Sequence, residues 1–133
     1  MRNLSIKAVL ISMIILSLTG CNKFHDELTI KEVDLSKIDS TFYEGPNFQG
    51  INFVTNEDET IFYVILSAKD YPNPTDYSVS SKDGVISIKF NGDFSKKQDA
   101  EHRLYEVKKD KEYEQISAFI NDEEVSINTI FAN

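Results

Sequence analysis

The sequence has a single cysteine, Cys21, so no disulfide bond can form within the chain. It has no tryptophan, which weakens a sugar-binding interpretation that depends on ring stacking. Positive charge is scarce, since 14 Lys and Arg residues face 22 Asp and Glu residues and the net charge is −8. A nucleic-acid-binding protein needs a basic face to neutralise phosphates, so the composition predicts no nucleic-acid partner.

Catalytic signatures are also missing. The sequence has no HExxH, GxSxG or P-loop pattern. Of its two histidines, His25 lies in the predicted N-terminal tether and His102 lies among charged residues, and we expect both to be solvated surface residues. The sequence therefore predicts neither an enzyme nor a cofactor. A Ser-His-Asp triad assembled by the fold stays open as an alternative.

The N-terminal segment has the pattern of an export signal. Arg2 and Lys7 precede an apolar run over residues 8–18, and the small residues Thr19 and Gly20 follow it. A helix that spans a bilayer needs about 20 apolar residues, and this run is shorter. A basic start, a short apolar stretch and small residues at its end predict a secretory signal over residues 1–20.

The end of this segment, Leu18-Thr19-Gly20-Cys21, resembles the lipobox of bacterial lipoproteins. The resemblance implies that cleavage occurs between Gly20 and Cys21, and that the Cys21 thiol carries a diacylglycerol group. Two acyl chains would hold the protein in the bilayer, on the extracytoplasmic face of the cell membrane. Lipidation would also consume the only thiol in the chain. The alternatives are an ordinary signal peptide and an uncleaved anchor.

The rest of the chain is long enough for one domain and too short for two. We expect residues 21–27 to form a short polar tether and residues 28–133 to form a single globular domain. Six tyrosines and nine phenylalanines, together with the Ile and Val residues, suffice to fill a core.

Alternation of apolar and polar residues dominates this domain and predicts β-strands. The strands are expected at 28–34, 51–55, 60–66, 77–81, 85–90, 103–109, 112–120 and 124–131. The segments 77–81 and 85–90 predict a hairpin with its turn at Lys82-Asp83-Gly84, and the last three segments predict a meander. The fold class is mainly β, a small antiparallel β-sandwich or a partly open barrel of about 7–8 strands.

One segment also fits a helix. Asn56 and Glu59 have the spacing of a capping box, and Ile61, Val64 and Ala68 have helical spacing. A helix near 57–69 would make the domain α+β. The β-branched and aromatic content of the segment favours a strand.

Aromatic residues near prolines are candidates for binding loops. Tyr43 and Phe48 flank Gly45-Pro46, and Tyr71 and Tyr77 bracket the loop with Pro72 and Pro74. Aromatic side chains on proline-containing loops would make rigid contacts with a partner. The alternative is that these rings cover the ends of the core.

Acidic residues at predicted turns are weak candidates for calcium ligands. They are Asp58, Glu59, Asp93 and Asp122. Calcium requires six to eight oxygen ligands, and the spacing of the helix-loop-helix calcium site is absent. The alternative is that these carboxylates point separately into water, and we predict no metal site.

These observations predict a membrane-anchored lipoprotein that acts as a binding or accessory module. Its partners would be the lipid bilayer, through diacylglyceryl-Cys21, and an envelope protein or a cell-wall component. A small envelope enzyme with a site assembled by the fold is one alternative. A calcium-dependent structural domain is the other.

Overall fold

The computed structural model describes residues 24–55, 57–96 and 99–131, and side chains are described as far as Thr129. The described residues form nine strands and two short 3-10 helices. The strands are β1 (Thr29–Val33), β2 (Ile51–Thr55), β3 (Ile61–Leu66), β4 (Asp76–Lys82), β5 (Val85–Asn91), β6 (Arg103–Lys108), β7 (Gln115–Ile120), β8 (Glu123–Val125) and β9 (Ile127–Phe131).

The strands form two sheets that pack against each other. Sheet A has the order β1-β6-β3-β2-β9, and sheet B has the order β4-β5-β7-β8. The prediction of a mainly β fold, a small sandwich, is confirmed, but the described residues form nine strands and not 7–8, and both sheets are mixed instead of purely antiparallel. Each sheet contains one parallel pair, β2 with β9 and β5 with β7, and the other pairs are antiparallel.

The main core lies between the two sheets and is built by alternate residues of each strand. On β5, Ile86, Ile88 and Phe90 are fully buried, whereas Ser87 and Lys89 lie on the outer face. Val64 of β3 and Tyr105 of β6 pack on the same core from sheet A. Burial of one large apolar side chain stabilises the fold by about 1.5–3 kcal/mol, which explains why alternation determines the faces.

The predicted hairpin is confirmed. Strands β4 and β5 pair from Asp76 opposite Asn91 to Lys82 opposite Val85. Asp83 and Gly84 form the turn with φ angles of 52° and 79°. Two successive residues with positive φ match the twist of the adjoining strands, and glycine tolerates this conformation at no steric cost.

The segment that also fitted a helix is a strand. β3 pairs with β2 on one side and with β6 on the other. Val64 and Ile65 are both fully buried, although they point to opposite faces of the sheet. The helix alternative for 57–69 is therefore wrong, because a strand covered on both faces has apolar residues at consecutive positions and not only at alternate ones.

The predicted C-terminal meander is also wrong. β6 lies between β1 and β3 in sheet A, whereas β7 lies beside β5 in sheet B. The segment predicted as one strand over 124–131 divides at Ser126 into β8, which pairs with β7, and β9, which pairs with β2. Alternation along a strand shows which residues face the core, but it does not identify the neighbouring strand.

The outer face of sheet A carries a second, smaller core. Val54, Ile65 and Leu104 are buried there beneath the connection between β1 and β2. This connection contains the 3-10 helices Leu35–Lys37 and Ser40–Phe42. Asp34 and Asp39 precede them, and each carboxylate accepts a hydrogen bond from the backbone N–H two residues later. These caps fix the start of each 3-10 helix, and apolar side chains of the connection pack on the sheet.

The predicted signal segment, 1–20, and Cys21 lie outside the described residues. The backbone N–H of His25 donates to the carbonyl oxygen of Lys109 at 3.0 Å. His25 Nε2 lies 3.4 Å from Thr60 Oγ1. His25 is thus held against the domain instead of lying free in the predicted tether. Across the described ranges, none of the helices is long and apolar enough to cross a bilayer.

Candidate functional site

An open cleft of about 620 Å³ lies at one end of sheet A. The end of β1 and the start of β6 form its walls, and the segment 99–102 and Asn73 complete them. Its volume lies in the range of sites that bind small molecules. We call it the Arg103 cleft.

Arg103 is fixed in this cleft by two partners. Its Nη1 donates to Glu32 Oε1 at 3.0 Å and to Oε2 at 3.3 Å, and Nη2 donates to Asn73 Oδ1 at 3.3 Å. Asn73 has a φ of 49° and lies between Pro72 and Pro74. The two prolines restrict this loop, so the amide that binds the guanidinium is presented on a stiff segment.

The lining carries more negative than positive charge. Its carboxylates belong to Glu32, Asp34, Asp99 and Glu101. Among the described lining residues Arg103 is the only permanent cation, and Glu32 already binds it. Hydrogen bonds from Ser36 hold the pKa of Asp34 below its ordinary value, so this carboxylate is ionised at neutral pH.

His102 is half-buried, which corrects the expectation of a solvated residue. Its Nδ1 accepts a hydrogen bond from the backbone N–H of Ala68 at 3.0 Å. The rings of Phe48 and Tyr43 meet the imidazole edge-on, with centroids at 4.8 and 6.0 Å. Burial lowers the pKa of His102 from its ordinary value, so the ring is neutral near pH 7 and Nε2 carries the proton.

This tautomer differs from that of a triad base. In a Ser-His-Asp triad one ring nitrogen donates to a carboxylate and the other accepts the proton of the nucleophile. Here the acceptor nitrogen of His102 is occupied by the backbone of Ala68. The buried Ser67 donates its hydroxyl to the carbonyl oxygen of Phe48 at 3.3 Å. His102, which directly precedes β6, is therefore bonded to the backbone just after β3, and this hydrogen bond supports the fold.

Tyr105 lies beneath the cleft, opposite Glu32 in the pairing of β1 with β6. Its side chain is buried, and its hydroxyl finds no hydrogen-bond partner among the residues that the structure describes. Burial raises the pKa of Tyr105, the negative charge of Glu32 raises it further, and Arg103 lowers it. The rings of Tyr77 and Phe90 contact Tyr105 at centroid distances of 4.8 and 4.9 Å.

The predicted aromatic binding residues lie mostly in the body of the protein. Tyr43 and Phe48 are half-buried on the second core and support His102. Tyr71 packs on the main core and contacts Phe94 edge-on at 5.3 Å. Tyr77 is 38% exposed, but its hydroxyl accepts a hydrogen bond from the backbone of Glu32. All four rings therefore contact the two cores or the strands around them.

The structure does not bring the four calcium candidates together. Asp58 and Glu59 precede β3, whereas Asp93 and Asp122 lie in two other loops, which hydrogen bonds of 3.0 Å between Gly92 and Asn121 join. Asp58 accepts hydrogen bonds from the backbone and hydroxyl of Thr60, and Asp93 accepts equivalent bonds from Ser95. Across 24–55, 57–96 and 99–131, no three His, Cys, Asp or Glu residues are grouped to hold a metal ion.

A second cleft, of about 450 Å³, lies between the sheets where the chain crosses from β8 to β9. Phe53, Ile116 and Ile127 provide apolar lining, and Glu114 and Glu124 are among its polar residues. β8 covers only the 118–120 part of β7, so this cleft opens beside residues 115–117. It contains none of the predicted site residues.

Sequence reasoning missed Glu32, Asn73 and Arg103, which together order the larger cleft. A signal was present in the alternation of two strands. Glu32 lies two residues after Ile30 on β1, and Arg103 lies two residues before Tyr105 and four before Val107 on β6. Because side chains alternate along a strand, both charged residues occupy positions on the face that packs on the core. Opposite charges at core-facing positions of two strands indicate an ion pair at the rim of the core.

Comparison of the chain with protein-family models, with curated proteins and with solved structures found no match.

Proposed function

We propose that this chain is a lipid-anchored extracytoplasmic module of a bacterial envelope, and that it binds a partner protein through the Arg103 cleft. The observation that carries the binding role is the cleft itself. It gathers Glu32, Asn73 and Arg103 from three distant parts of the chain and fixes them by hydrogen bonds. A site whose side chains are already ordered loses less entropy on binding.

The anchor is supported by the sequence. The Leu18-Thr19-Gly20-Cys21 segment follows a short apolar run with a basic start. Each buried methylene contributes about 0.8 kcal/mol to membrane binding, so two acyl chains give stable attachment. The protein would then act at the membrane surface without a spanning helix.

The charge of the cleft favours one kind of partner. The carboxylates of Asp34, Asp99 and Glu101 repel nucleic acids, anionic headgroups and acidic wall polymers. A neutral or basic protein surface meets no such repulsion. A protein partner is therefore the better fit to this site than a polyanion.

The anchor is tested in cells that express tagged wild type or Cys21→Ala. We expect labelled palmitate to enter only the wild type, and we expect only the wild type to sediment with membranes. Unlabelled wild type, or equal membrane association of both proteins, would contradict the anchor.

The binding role is tested by photo-crosslinking in intact cells, with the crosslinking amino acid in place of Ala100 in the cleft lining. We expect one discrete adduct, and we expect Glu101→Lys to reduce its yield strongly. Glu57→Lys is the matched control because it makes the same charge change at an exposed turn outside the cleft lining. An adduct that responds equally to both changes, or no adduct, would exclude the cleft as the contact.

A further inference from the structure

The N-terminal attachment point and the Arg103 cleft lie at opposite ends of β6. His25 is bonded to Lys109, just after the last residue of β6, and Lys109 N–H donates to Thr60 just before β3. The cleft begins at Arg103, the first residue of β6. A strand rises about 3.3–3.4 Å per residue, so roughly 17 Å separate the two ends.

The segment that joins the lipid to the domain is short. Only Asn22, Lys23 and Phe24 lie between Cys21 and His25. A fully extended chain covers at most about 3.6 Å per residue, so the segment from Cys21 to His25 reaches about 14 Å. With acyl chains on Cys21, the Lys109 end of sheet A must remain next to the headgroups.

Charge opposes contact of the rest of the domain with the bilayer. At the end away from the attachment point, the cleft lining carries the carboxylates of Glu32, Asp34, Asp99 and Glu101 and one described permanent cation, Arg103. An anionic lipid surface attracts basic patches and repels an acidic domain. Electrostatic attraction therefore does not favour contact between the side of the domain and the bilayer.

We propose that the Arg103 cleft faces away from the membrane, and that its partner is a protein whose binding surface extends beyond the headgroup layer into the aqueous space. This inference rests on the proposed lipid anchor and deepens the proposed binding role. It excludes lipid headgroups, and protein segments level with them, as ligands of the cleft.

The orientation is measured by energy transfer from a dye on the protein to rhodamine-labelled lipid. The full processed chain is reconstituted in vesicles of phosphatidylcholine and phosphatidylglycerol. Since lipidation occupies the Cys21 thiol, a cysteine introduced as Glu101→Cys or Glu57→Cys provides the only reactive thiol. We expect the dye at 101 to lie about 17 Å farther from the lipid plane than the dye at 57.

A matched control lengthens the tether by a flexible Gly-Ser insertion between Lys23 and Phe24. We expect this insertion to reduce the difference between the two dye positions, since a long linker no longer restricts the domain. Equal distances without the insertion, or a shorter distance at 101, would overturn the orientation alone. If the chain without an introduced cysteine reacts with the dye, Cys21 is unmodified, and both the anchor and the orientation are overturned.

Discussion

The hydroxyl oxygen of Tyr77 accepts a hydrogen bond from the backbone N–H of Glu32, with a nitrogen–oxygen distance of 3.2 Å. Tyr77 belongs to β4 of sheet B, and Glu32 belongs to β1 of sheet A. The bond therefore connects the edge strands of the two sheets beside the Arg103 cleft. The ring of Tyr77 also covers Tyr105, whose hydroxyl is buried below the cleft.

Tyr77→Phe should remove this hydrogen bond and keep the ring. We expect the free energy of unfolding to fall by about 0.5–1.5 kcal/mol, the usual net value of one such bond. Tyr77→Ala should cost more, because the aromatic contact with Tyr105 is lost as well. Urea unfolding followed by far-UV circular dichroism measures both. Equal stability of the wild type and Tyr77→Phe would show that the bond between the sheets contributes nothing.

Removal of apolar volume from the centre of sheet B should destabilise the fold strongly. Ile88 is fully buried between the sheets, and Ile88→Ala should lower the free energy of unfolding by about 2–5 kcal/mol. Ser80→Ala on the neighbouring strand β4 is the control, because Ser80 is exposed and its change should cost less than about 0.5 kcal/mol. Similar unfolding midpoints for the two variants would contradict the described core.

The turn between β4 and β5 requires glycine at position 84. Gly84 has a φ of 79°, and an added Cβ would meet the Glu114 side chain only at ordinary contact distance. The cost of Gly84→Ala is therefore backbone strain, about 1–2 kcal/mol. Asp83→Asn should be close to neutral, since asparagine tolerates positive φ. Thermal unfolding of the two variants distinguishes these effects, and a stable Gly84→Ala variant would refute the turn geometry.

Protonation of His102 should destabilise the folded protein. Its pKa is lowered by burial from the ordinary value of 6.5, so the unfolded chain binds this proton at a higher pH than the folded protein. The free energy of unfolding therefore rises with pH until His102 is neutral in both the folded and the unfolded protein. It falls as the pH drops below 6.5 towards the pKa of His102 in the folded protein. We expect the urea midpoint of the wild type to decrease between about pH 7 and pH 5.

His102→Asn is the matching variant, because its side-chain oxygen can accept the Ala68 N–H in place of Nδ1. We expect the decrease in urea midpoint over this pH range to be smaller in the variant than in the wild type. An unchanged pH dependence would show that His102 is not the group responsible.

The sequence predicted the positions of the strands better than it predicted which strands pair with each other. Residues 51–55 and 85–90 alternate or concentrate β-branched and aromatic side chains, and they form β2 and most of β5 as predicted. The pairings of β1 with β6 and of β2 with β9 join distant parts of the chain, and no local pattern encodes them. Ser126, where the chain leaves one sheet for the other, is a single serine between Val125 and Ile127, without an adjacent Gly, Pro, Asn or Asp to indicate a turn.

The cleft was harder to foresee than the strands. Arg103 meets Glu32 across 71 positions of sequence, and their contact depends on a strand pairing that alternation does not specify. The packing of Phe48 and Tyr43 over the second core was hard to predict for a similar reason. They flank Gly45-Pro46 in a segment that looks like a loop, and only the apolar outer face of Val54, Ile65 and Leu104 explains why that segment folds back.

The position of β9 beside β2 has a consequence for the order of folding. Residues 127–131 complete sheet A by pairing with residues 51–55, so the sheet cannot close until the chain has been synthesised at least as far as residue 131. Closure of long loops before contacts form is slow, and folds dominated by distant strand pairs need milliseconds to seconds. Such a delay suits the proposed export, because a chain that has not yet closed its sheets can still be threaded through a translocation pore.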